Sequence, residues 1–92
     1  MKELGDPVIK ELVLDVLKQH APSLPKFASL VCELECVDMV DITLVEMNEQ
    51  TESLKTVLNG NSLDFEELKN YMGKQGAVIH SVDQVVVKKN EE

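Results

Sequence analysis

Arginine and tryptophan are absent from this chain, and its aromatic side chains are limited to Phe27, Phe65 and Tyr71. Without arginine there is no flat guanidinium fork to read base edges or clasp phosphates. The 9 lysines are outnumbered by 17 acids, for a formal net charge of -8. A surface of that sign repels a polyanion, so nucleic acid is not an expected partner. Cysteine is scarce too: Cys32 and Cys36 lie four residues apart with no second pair to complete a zinc set, and they read as free, inert thiols. No stretch approaches the roughly 20 apolar residues of a membrane-spanning helix. Met1 to Pro7 carries acids and no hydrophobic signal core, so the expectation is a cytoplasmic protein with no membrane partner. Finally, no spacing of Ser, His, Cys, Asp or Gly matches a catalytic or phosphate-binding constellation. The chain reads as non-catalytic.

What is present is a sequence of periodicities. From Ile9 to Leu17 the period is two, with Leu12, Leu14 and Val16 on one face and Val13, Asp15 and Leu17 on the other. Ser23 and Pro25 then mark a helix start, where a side-chain oxygen caps an unpaired N–H and proline gives up a donor that would have no partner. Leu24, Phe27, Leu30, Val31 and Leu34 follow at helical spacing. At Val40 the period returns to two, Val40, Ile42 and Leu44 against Asp41, Thr43 and Val45. The polar run Met47 to Thr51 makes a hairpin, and Leu54, Thr56 and Leu58 define a third strand with Lys55 and Val57 behind them. Asp64 with Glu67 three residues on is a capping-box-like start for a helix carrying Phe65, Leu68 and Met72, which Gly76 ends. In the last strand, Val78 to Val87, the phase of Val78, His80 and Val82 competes with that of Ile79, Ser81 and Asp83, and the pattern alone does not decide between them.

The order strand, helix, strand, strand, helix, strand builds most economically into an α+β, ferredoxin-like βαββαβ sandwich. Right-handed crossovers give one four-stranded antiparallel sheet ordered fourth, first, third, second, with both helices on one face. The domain is expected over residues 9–87, with 1–8 a flexible lead-in and 88–92 a charged tail. A chain of 92 residues buries only roughly 60 to 65% of its unfolded surface, and a sheet face left bare by helices invites a second subunit.

Several stretches resemble a small archaeal family, domain of unknown function 211. They are Leu14-Asp15-Val16-Leu17-Lys18 with His20, Val40 to Glu46, Gly60-Asn61 with Leu63-Asp64-Phe65, and Ile79 to Asp83 with Val85. Together they span about Leu12 to Val86. The resemblance implies a ferredoxin-like subunit that assembles into a cyclic homo-oligomer, with no established biochemical activity. The family usually has glycines at the exit of the first helix, where this chain has Cys36 and Met39.

Two sets of candidate residues follow. Val13, Leu17, Val45 and Val57, on the bare sheet face, are the expected oligomer interface of a self-assembling scaffold or regulatory module. The alternative is a divalent-cation or small-ligand site at an acidic hairpin edge, for which Asp15, Glu46, Glu52 and His80 are the candidate ligands and calcium or magnesium the candidate ion. The topology is expected to bring His20, Glu46, Asn48, Glu52 and His80 to one edge, and Asp38, Asn61, Asp64 and Asp83 to the other. Asp15, a carboxylate among aliphatics, should be paired, with Lys55 or His80 within reach. The base-stacking surface of RNA-binding relatives of this fold is not expected, because all three aromatic residues fall on helices.

Overall fold

The computed structural model describes residues 5–90, arranged as β1 (Pro7–Gln19), α1 (Leu24–Cys32), β2 (Met39–Met47), β3 (Thr51–Asn59), α2 (Phe65–Lys74) and β4 (Ala77–Lys89). The four strands form one antiparallel sheet ordered β2-β3-β1-β4. That is the ferredoxin-like order, with α1 packed against β2 and α2 against β4.

Alternation builds the core. Leu12, Leu14 and Val16 of β1 and Leu54 and Leu58 of β3 point to the helical side and are buried. They meet Phe27 and Val31 of α1 and Leu68 and Met72 of α2. The Ser23 hydroxyl accepts from the Lys26 N–H at 3.4 Å, and an Asp64 carboxylate oxygen accepts from the Glu67 N–H at 3.1 Å. Each cap satisfies a donor that the first helical turn leaves unpaired. Helix α1 stops at Cys32, short of the expected Leu34, which packs against the core from the following turn. Gly60 closes that region: a Cβ there would collide with the Cys36 carbonyl oxygen, so only glycine fits between β3 and the α1 exit. Gly76, at φ 79°, ends α2 as expected.

The strands reach further than the expected domain limits. Pro7 pairs with Lys89 and Val8 with Lys88, so these residues belong to the sheet rather than to a lead-in and a tail. Backbone hydrogen bonds from the Gly5 N–H to the Asn90 carbonyl (2.7 Å) and from the Asn90 N–H to the Asp6 carbonyl (2.6 Å) continue the pairing, and only residues 1–4 and 91–92 lie outside the described residues. β4 is also far longer than its helix. Thirteen residues of strand span about 43 Å against about 15 Å for the ten residues of α2. Much of β4 therefore carries no helical cover, and the molecule is elongated, 47 × 22 × 17 Å.

The undecided phase of β4 has a structural cause. The register shifts leave His80 and Asp83 without a cross-strand partner, each a bulge that moves the alternation by one residue. Ile79, Val82 and Val85 thereby oppose Val16, Leu14 and Leu12, a series that follows neither simple phase.

Candidate functional site

Two polar clusters and two apolar edges stand out against this frame. The first cluster sits where β1 leaves the sheet. Lys18 continues the face of Leu12, Leu14 and Val16, and its side chain is completely buried. Its Nζ donates to the carbonyl oxygens of Gln19 (2.7 Å), His20 (3.3 Å) and Pro22 (2.5 Å). It also lies 3.3 Å from Oε1 of Glu52, its cross-strand neighbour on β3, and 5.8 Å above the Phe27 ring. A buried ammonium is tolerable only when its donors are used and an opposite charge is close, and both conditions hold.

The second oxygen of Glu52 faces His20. Nδ1 of His20 is 3.0 Å from Glu52 Oε2, while Nε2 is 3.1 Å from the Asn48 carbonyl oxygen and 2.9 Å from that of Glu49. The hydrogen bond from His20, ahead of the Lys18 ammonium, holds the Glu52 carboxyl below its usual range. The same bond, followed by the Glu49 carbonyl, raises the His20 imidazole above its usual value. The imidazole thus ties the β2–β3 hairpin to the loop after β1.

The second cluster is on the opposite, helix-free face. Nδ1 of His80, re-aimed by its bulge, is 3.2 Å from Oδ2 of Asp15. The two line a shallow hollow of about 150 Å³ with Leu17 and Ser53. Asp15 opposes Lys55 on β3, but His80 supplies its hydrogen bond.

The expected neighbourhood of five is therefore divided. His20, Asn48 and Glu52 come together as anticipated, whereas His80 lies across the sheet with Asp15, because strand parity separates Glu52 from Asp15. Glu46, displaced by a bulge at Val45, opposes Ser53 on the edge strand. Among the described residues, no three His, Cys, Asp or Glu side chains gather in a metal-holding arrangement. On the other edge, Asn61 receives the Lys10 ammonium at 2.7 Å near Asp64, but Asp83 sits at its bulge midway along β4. Cys32 and Cys36 are free, and burial pushes the Cys36 thiol up beside Glu67.

Sequence reasoning passed over Lys18 as a functional position. The available signal was its phase: a lysine in step with three core aliphatics, four residues before a proline.

The expected interface residues differ in what they leave exposed. Val13 is already covered within the chain, Val57 is half-buried, and Leu17 and Val45 keep broad apolar surface. Further exposed aliphatics line both outer strands, Met39, Leu44 and Met47 on β2 and Val78, Val82 and Val87 on β4. No helix of the described structure is long and apolar enough to cross a membrane.

Comparison with known proteins gives a consistent result. The model of the family DUF211, described as "Uncharacterized ArCR", matches residues 10–90. A protein of Methanocaldococcus jannaschii, "Uncharacterized protein MJ0319", is 40% identical over 81 residues, covering 88% of this chain and 84% of that protein.

Proposed function

This chain belongs to the DUF211 family, and from that premise and the form of its sheet we propose that it is a non-catalytic subunit that closes into a cyclic homo-oligomer and works as a scaffold or regulatory module. The observation that carries this reading is the apolar character of both outer strands. Val45 on β2 and Val78 on β4 are each 67% exposed. Long outer strands with free backbone N–H and C=O groups are templates for pairing, and exposed aliphatic side chains along them add to that tendency. Here β2 and β4 are the two outer strands among the described residues, and both keep their aliphatics.

The strands are also complementary in charge. β2 contains Asp41 and Glu46 and no cation, whereas β4 contains Lys88 and Lys89 against Asp83. Joining β2 of one copy to β4 of the next is a head-to-tail contact, and such contacts generate rings when the rotation closes. Val45 supplies apolar area at that seam, and Leu17 adds more on the helix-free face of β1, one strand in from β4. At about 25 cal/mol per Å² their burial favours association before its entropic cost is counted.

A lysine on either seam tests the reading. Val45→Lys and Val82→Lys replace exposed side chains, so folding should survive. Sedimentation velocity should show each variant at the monomer while the parent chain sediments as an assembly; assemblies unaffected by both substitutions would refute edge pairing.

The alternative, a calcium or magnesium ion held by Asp15, Glu46, Glu52 and His80, has weaker support because these groups are split between the two faces of the sheet. It requires a melting midpoint that rises with either ion.

A further inference from the structure

The environment of His20 is unusual in offering its ring acceptors alone. Nδ1 faces a Glu52 carboxylate oxygen and Nε2 faces two backbone carbonyl oxygens, at 3.0, 3.1 and 2.9 Å. A neutral imidazole has one N–H and one lone pair, so it can satisfy only one of these sides; the imidazolium satisfies both. We propose that His20 is a proton-operated latch, which in its doubly protonated form fastens the β2–β3 hairpin to the loop after β1 and on losing one proton releases the hairpin.

The division of labour at Glu52 makes this a switch and not a general collapse. Lys18 holds Oε1 and His20 holds Oε2. When the ring loses its proton, the buried Lys18–Glu52 pair and the three carbonyl contacts of Lys18 remain, and what is lost is the tie to Asn48 and Glu49. The charged groups around the ring agree with that reading. Glu52 approaches from β3, and Lys18 from β1 reaches the His20 carbonyl rather than its ring. Glu49 meets the ring through its backbone, and Lys74 at the end of α2 lines a hollow with Gln19, Ala21 and Pro22 of the same loop. The ring side chain itself is 41% exposed, so protons reach it from solvent without unfolding. Glu52 raises the ring's pKa above its ordinary 6.5, which places the release on the alkaline side of that value.

The hairpin joins β3 to Met47, Glu46 and Val45 of the β2 edge. Resting on the edge-pairing reading above, the latch would couple proton concentration to the readiness of that edge to pair with a sister copy.

The experiment is an NMR titration of the two histidine rings in the full chain from pH 5 to 9, with amide-exchange protection of Asn48 to Thr51 measured at each point. The His20 ring should titrate above 6.5, and hairpin protection should fall with it, by about tenfold for every pH unit separating the latched and unlatched titrations. His20→Gln should show a hairpin of low, pH-independent protection on an unaltered core. A His20 ring that titrates at or below 6.5, or hairpin protection that ignores its titration, overturns the latch. Light scattering across the same samples separates the two readings: a chain monomeric throughout whose hairpin tracks His20 keeps the latch and removes edge pairing.

Discussion

Lys18 and Glu52 face each other across β1 and β3, with Nζ 3.3 Å from Oε1, the lysine fully buried and the carboxylate nearly so. The pair closes the end of the core at the point where the chain leaves β1 and where the hairpin returns into β3. Its position explains why an acidic chain without arginine keeps one lysine inside.

Removing one member leaves the other without its counter-charge. Lys18→Met should destabilise the fold by about 3 kcal/mol, since it abandons Glu52 and three carbonyl oxygens together. The double variant with Glu52→Gln should cost less than the sum of the two single changes. Urea denaturation at one protein concentration measures both.

The polar network also has a pH signature. Glu52 has a lowered pKa in the folded state, so its contribution is present above about 4.5 and is lost as pH falls through the lowered value. His20 has a raised one, so its contribution is complete below 6.5 and is lost as pH rises through the raised value. The urea midpoint should therefore be highest between these limits, and His20→Gln should flatten the alkaline decline.

Thr56, on β3 opposite Leu14 and Ile42, is fully buried, and its hydroxyl has no hydrogen-bond partner among the described residues. Thr56→Val keeps the shape and removes the unpaired group. It should raise stability by about 1 kcal/mol in the same denaturation experiment.

Gly60 gives the opposite sign. A methyl group there meets the Cys36 carbonyl oxygen and the Leu63 side chain, and a backbone atom cannot step aside as a flexible side chain does. Gly60→Ala should lower stability by about 2 kcal/mol, with NMR shifts centred on the α1 exit.

How much of this could be read from the residues differs by element. β1 from Glu11 onward, β2 as far as Leu44 and all of β3 keep a period of two because each has one face against the core, and Ser23 and Asp64 carry the chemistry of caps, so element order and sheet order were both legible. β4 was not, since bulges at His80 and Asp83 break the period on which any phase argument depends. Of the candidate sites, the Asp15–His80 contact was among the anticipated pairings, and the grouping of His20, Asn48 and Glu52 followed from topology. Placing His80 with them failed because closeness along a strand says nothing about which side of the sheet a side chain takes. Lys18 escaped notice for a related reason: a long charged residue at a strand end usually reaches water, and only the fold reveals three carbonyls turned inward to meet it. Val13 was expected at an interface by its face, and it is already buried in the single chain.

If the apolar outer strands of this sheet pair with other copies of the chain, the protein in solution weighs more than one chain. Light scattering coupled to size exclusion, on the unaltered protein at micromolar concentration near pH 6, should give a single species whose mass is a whole multiple, greater than one, of the 10.3 kDa chain. A lone species of 10.3 kDa, unchanged as concentration is raised, would contradict that pairing.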